Sequence, residues 1–251
     1  MRKHSVQYLL SRSFIISLLM VAGSFLLLTG CKDDDEKPKP KPEFGTMTDI
    51  DGNVYKTVKI GGKWWMAENL KVTKFRDGSA IPSASSESSW LQALSAYCVY
   101  DNSSNAPGLL YNWNAVNDVA GLAPAGWRIP TDEDWKELER NLGISGSTAD
   151  KTGWRGTDEG EKMKLEANTG WSFYEGIWAS NESGFSAEAG SCRMFTGVFG
   201  SPGLTYTGFW WSASEHNQDE AWYRHLDYKE KGVFRYHGQK KYGFSVRCVM
   251  N

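Results

Sequence analysis

The C-terminal third of the chain is built from short aromatic runs bounded by glycine. They read "GFSAEAGSCRMF", "GFWWSAS", "AWYRHLDY", "GVFRYHG" and "YGFSVRCVM". Aromatic side chains favour a pleated, half-buried surface. Glycine inside a helix costs about 1 kcal/mol relative to alanine, so its frequent recurrence breaks helices and makes turns. With 12 Trp and 26 Gly in the whole chain, the pattern predicts short strands and long loops rather than a helical bundle.

Earlier segments agree. "VYKTVKI" and "KWWMAENL" are two strand-like runs joined by Gly61-Gly62, the mark of a tight hairpin. Asp49 and Asp51 precede it, but the further ligands and closing Glu of an EF-hand are missing, so this is read as a turn. Residues 76–107, rich in Ser, Asn, Asp and Pro, are predicted to be loop, with one short helix around "SSWLQAL". The clearest helix is "PTDEDWKELERNLG", about 131–142. Thr131 is its N-cap with Asp134 three residues on, acidic residues fill the first turn, and Gly143 stops it. Trp135, Leu138 and Leu142 form its apolar stripe, and a second short helix is expected from Glu159. The class is therefore α+β, with antiparallel sheets. Trp64, Trp127, Trp135 and Trp210 are expected in the core.

The N-terminus reads as an address. Arg2, Lys3 and Arg12 flank the apolar run "FIISLLMVAGSFLLL", fifteen residues, against the roughly 20 that a membrane helix needs. It ends in Leu28-Thr29-Gly30-Cys31, which resembles the lipobox of bacterial lipoproteins. Residues 1–30 are thus expected to be a signal peptide and Cys31 the lipidated residue, with acyl chains as the membrane anchor. Next comes "KDDDEKPKPKPEFG". Its acidic start resembles surface-export signals, and its Lys-Pro alternation suits an extended stalk, residues 31–45, reaching roughly 40 Å. A single domain over 46–251 follows. The expected location is the outer membrane, exposed at the cell surface.

Charge and cysteine content narrow the function. The formal charge of −2 includes the three cations of the leader, so the remainder is more acidic still. A basic footprint for nucleic acid is lacking, and no nucleic-acid partner is expected. Cys98, Cys192 and Cys248 have neither CxxC nor CxH spacing, so no structural zinc site is read from them.

The ordered segments "DGNVYKTVKIGGKWWMAENLK", "AYCVYDNSSNAPGLLYNWNAV", "APAGWRIPTDEDWKEL", "NESGFSA", "GFWWSASE", "AWYRHLDY" and "YGFSVRCV" resemble the Fibrobacter succinogenes major paralogous domain family across 48–250. "GWRIPTDEDWKEL" and "GFSVRCV" are also similar to the wider C-type-lectin-like group, which includes formylglycine-generating enzymes. The resemblance implies a C-type-lectin-like fold of twisted antiparallel sheets, one clear helix and long loops. It supplies no catalytic set. Calcium is left open by it, but the Glu-Pro-Asn or Gln-Pro-Asp motif of calcium-dependent lectins is missing, and Val116-Asn117-Asp118 is the nearest match to their Trp-Asn-Asp. No cofactor is expected. Cys98 and Cys248 lie in family-like segments and Cys192 does not, which suggests a Cys98–Cys248 disulfide.

A catalytic role is not expected. Ser212 and Ser214 lie near His216, but not at a strand-turn-helix elbow. His225, Asp227 and His237 could meet across a hairpin as metal ligands, though exposed strand positions account for them more simply. The preferred reading is an extracellular glycan or protein ligand held by the C-terminal hairpin. Alternation puts Tyr223, His225 and Asp227 on one face and Trp222, Arg224, Leu226 and Tyr228 on the other. The first set is taken as the binding face, with Arg235 and His237 added from the next strand. The alternatives are a passive adhesion module, a ligand-binding segment diversified by retroelements, and, more remotely, an enzyme like the formylglycine-generating group.

Overall fold

In the computed structural model, residues 41–166 and 170–251 are described, and 41–251 form one compact unit. The leader, Cys31 and most of the expected stalk lie outside the described residues. The N-terminal half contains strands β1 (Glu43–Thr48), β2 (Val54–Ile60) and β3 (Lys63–Met66), helix α1 (Glu87–Gln92), strands β4 (Tyr97–Cys98) and β5 (Leu110–Tyr111), and helix α2 (Trp113–Val116). Then come β6 (Trp127–Arg128), α3 (Asp132–Leu142), α4 (Gly146–Ala149), β7 (Gly153–Arg155) and α5 (Glu159–Met163). The chain closes with β8 (Thr207–Glu215), β9 (Glu220–Asp227), β10 (Val233–Gln239) and β11 (Val249–Met250).

These strands form a five-stranded sheet, β1-β2-β3-β11-β6, a four-stranded sheet, β7-β10-β9-β8, and the small pair β4-β5, all with antiparallel neighbours. The Gly61-Gly62 hairpin forms as the sequence predicts, with Ile60 opposite Lys63 and both glycines at positive φ, +57° and +86°. The stalk is shorter than expected at its C-terminal end. Residues 43–45 are already strand, paired with Thr57, Val58 and Lys59. A second difference lies in residues 184–195, where the expected strand is only a series of single bridges. Backbone at positive φ at Ser186 and Ser191 interrupts any extended run there.

Helix α3 carries the full capping box. The Thr131 hydroxyl accepts from the Asp134 amide, and the Asp134 carboxylate accepts from the Thr131 amide. Trp135 and Leu138 bury completely, and Trp135 meets Trp65 with ring centroids 5.1 Å apart. The helix therefore joins the two larger sheets. The segment before β11 does the same: the Trp211 amide donates to the Ser245 carbonyl and the Ser245 amide to the Phe209 carbonyl. Of the four tryptophans expected in the core, Trp127, Trp135 and Trp210 are buried, while Trp64 only packs against its edge.

The pairing of Cys98 with Cys248 is not formed. Cys98, Cys192 and Cys248 are all free and buried. Cys98 packs in a small cluster with Trp90, Ala96 and Leu110, whereas Cys248 lies in the main core with Tyr55 and Tyr111. Among the described residues, no helix is long and apolar enough to cross a membrane.

Candidate functional site

Strand β9 holds most of "EAWYRHLDY" between β8 and β10, with Phe209 and Phe234 opposite His225, and Trp211 and Tyr236 opposite Tyr223. The alternation read from the sequence is real, but its two faces differ from the expectation. Arg224 and Leu226 are fully buried, and Arg224 points to α3. There a charged network lies beside the apolar packing of Trp135, Leu138 and Leu226. Arg224 donates to Asp132 at 2.8 Å, Arg235 to Asp132 at 2.7 Å, and Arg155 holds Glu139 through two bonds of 2.6 and 3.0 Å. Arg224 also donates to Glu139. Burial raises the Asp132 carboxyl, but the two guanidiniums outweigh it and pull the group down to about 2. Arg235, expected to contact a ligand, is thus buried and engaged by Asp132, which corrects that assignment.

Tyr223 and His225 do lie on the face away from α3, yet they are not free. Trp154, Phe234, His225 and Phe209 form one row across all four strands by register. His225 stacks on Phe209 with centroids 4.2 Å apart and planes at 7°. Burial, with the Lys164 charge, pushes the imidazole down to about 3, so it is neutral at ordinary pH. Its Nε2 is buried without a hydrogen-bond partner. Tyr223 packs against Phe244 at 5.0 Å, and burial raises its phenol. Asp227 accepts from the Lys229 amide and shapes the turn into β10. The aromatic groups of this face that reach the surface are Trp154, at the end of that row, and Tyr236, opposite Tyr223 in the next, 39% and 41% exposed.

From Trp154 the rings continue in file. Successive centroid distances are 5.1 Å to Phe234, 5.8 Å to Tyr236, 4.4 Å to His237 and 3.9 Å to His216. Strand β7 pairs with β10 only as far as Arg235, so beyond it the β10 edge is open for Tyr236 and His237. The file ends at an open polar cleft of about 610 Å³ whose lining includes Asn114, Asn217, Gln218, Asp219, Gln239 and Lys240. Asn217 organises this rim by accepting from the amides of Asp219 and Glu220, both at 2.9 Å.

The hairpin does not bring His225, Asp227 and His237 together, because His225 and His237 project from opposite faces. His237 instead meets Glu220, Nδ1 to Oε2 at 2.8 Å, with His216 beside them. The ligand atoms of His216, Glu220 and His237 all lie within 4.8 Å of one another. Burial tends to raise the Glu220 carboxyl, but the Asn217 hydrogen bond and the two imidazoles leave it below its ordinary value. The sequence hint was the spacing of His216 and Glu220 around a four-residue turn. Only the β9–β10 register adds His237.

Other candidates are occupied. The Ser214 hydroxyl accepts from the Asp132 amide and the Ser212 hydroxyl from the Ser214 amide, so both side chains are engaged by backbone of β8 and the start of α3. Asp49, weighed against calcium, accepts from the Asp51 and Asn53 amides and from the Tyr55 hydroxyl, the partners of a turn. Burial raises the thiols of Cys98 and Cys192 to about 11 and about 12, and that of Cys248 also upward, so none is a ready thiolate.

Comparison with known proteins gave no match among curated proteins or solved structures. The model of the Fibrobacter succinogenes major domain matches residues 58–250, which contain the second hairpin strand, α3, the ring file and the cleft. The chain belongs to the Fibrobacter succinogenes major domain family.

Proposed function

We propose that this chain is a lipid-anchored protein of the outer membrane surface whose domain, C-type-lectin-like in fold, binds an extracellular glycan without transforming it. The observation that carries the reading is the ring file from Trp154 to His216 and its end beside a cleft of amides, carboxylates and the lysines Lys240 and Lys241. Exposed aromatic rings offer apolar faces at low entropic cost, and Asn, Gln and Asp match the donors and acceptors of hydroxyl groups. Leu28-Thr29-Gly30-Cys31 supports the anchor. The occupied serines and raised thiols favour binding over covalent catalysis.

A glycan array probed with residues 41–251, with calcium and with chelator, tests this reading. Saturable binding that survives chelation and falls at least about tenfold in Trp154→Ala or Tyr236→Ala is expected. Those side chains are exposed, so the substitutions leave the core intact. Absence of any glycan signal, with capture of a protein partner through the same residues or none at all, would reject the glycan reading.

A further inference from the structure

We propose that His216, Glu220 and His237 form a binding site for a divalent transition metal ion of the zinc type. His216 is the first residue of the loop after β8, Glu220 opens β9 and His237 lies in β10, so strand pairing fixes the backbones of Glu220 and His237. His216 is anchored further by its own amide, which donates to the Glu220 carbonyl at 2.9 Å. Two imidazoles and one carboxylate are the borderline donor set that suits zinc and disfavours calcium, which prefers six to eight oxygens. Three protein ligands leave a further position for water or a ligand oxygen, and the adjoining cleft supplies room for it.

The surroundings are those of a supported site. The Asn217 side-chain amide donates to Glu220 Oε2 at 3.1 Å and orients the carboxylate. Trp222 packs edge-on against both rings, with centroids 4.8 Å from His216 and 5.5 Å from His237. Trp222 is itself covered by the Arg235 guanidinium, 3.7 Å from its centroid. Lys240, which lines the same cleft, is bound to Glu215 and not to Glu220. Zinc–ligand distances of about 2.1 Å require ligand atoms roughly 3.4 Å apart. The wider separations, up to 4.8 Å, must therefore close by up to about 1.4 Å, while the His237 Nδ1–Glu220 Oε2 pair at 2.8 Å opens by about half an ångström. His216, the exposed member, can make that movement by side-chain rotation.

This site stands independently of the glycan reading. The test uses the full chain, purified in detergent, stripped with EDTA, dialysed, and titrated with zinc chloride by calorimetry. Calcium chloride is the control. One zinc per chain is expected, without competition from calcium. Affinity should fall more than about tenfold in His216→Ala, Glu220→Gln and His237→Ala, and stay unchanged in His225→Ala. His216→Ala alters an exposed loop position, so its fold, checked by near-ultraviolet circular dichroism, should be retained. Cobalt substitution should give a visible spectrum without the sulfur-to-metal charge-transfer band of cysteine ligation. Equal zinc uptake by the three variants, no zinc bound by the wild type, or a sulfur band would each overturn the proposal.

Discussion

Asp132 is the residue on which the charged underside of the β9–β10 hairpin turns. Its carboxylate serves Arg224 and Arg235 together, while Glu139 serves Arg155 and Arg224. Removing charges from water costs several kcal/mol per ion, so such a network resists the loss of one partner more than it stabilises the fold outright. Asp132→Asn leaves two buried guanidiniums short of their counter-charge and should cost about 3–5 kcal/mol in urea denaturation at neutral pH. The pH dependence has a definite sign. Asp132 is held at about 2, below its ordinary 3.8, so its contribution is present above about pH 4 and disappears as pH falls toward 2. That loss is on the order of 2 kcal/mol. Unfolding curves of Asp132→Asn should lack this part of the acid limb. A variant with the same acid limb as wild type would contradict the assignment.

At the scale of elements, α3 and the Gly61-Gly62 hairpin were legible because their determinants are local. Thr131 and Asp134 need only each other and the first turn of their own helix. Thr131→Ala removes the hydroxyl acceptor and should cost about 1 kcal/mol, within a range of about 0.5–2, as a lowered urea midpoint with unchanged slope. A value near zero would mean that the packing of Trp135 and Leu138 holds the helix start without the cap. The stretch 184–195 misled for the opposite reason. Its aromatic and glycine content resembles that of β8 and β9, but Arg193 and the positive-φ serines commit it to irregular backbone. Arg193 donates to the carbonyl of Gly197 four residues on and to those of Ala84 and Ser85, more than a hundred residues back. In β9 the period of two was read correctly. What each face meets was not, because α3 and Phe209 are brought to it by tertiary contacts.

For the molecule as a whole, the three thiols report on how the core is partitioned. Cys98 lies in the cluster around Trp90, while Cys192 and Cys248 lie in the main core. All three should resist Ellman's reagent in the native domain 41–251 and react together in guanidinium chloride without reductant. Release of only one thiol there would reinstate a disulfide. The final residues also matter at this scale. Phe244, Ser245 and Val249 bond to Tyr111, β8 and β3 respectively, so the C-terminus joins the sheets instead of extending one of them.

By itself the sequence determined the antiparallel α+β class, the capped helix, the two hairpins and the family, along with the expectation of a lipid-bearing Cys31. Each rests on residues adjacent in the chain or one helical turn apart, where covalent geometry and local hydrogen bonding dominate. Only the tertiary structure decided that Arg235 is bound to Asp132, that His225 is a stacked neutral ring, and that His216, Glu220 and His237 converge. Those outcomes depend on strand register, which aligns residues across the β8–β9–β10 hairpins, and on which helix covers which face, which is set by packing between segments about a hundred residues apart.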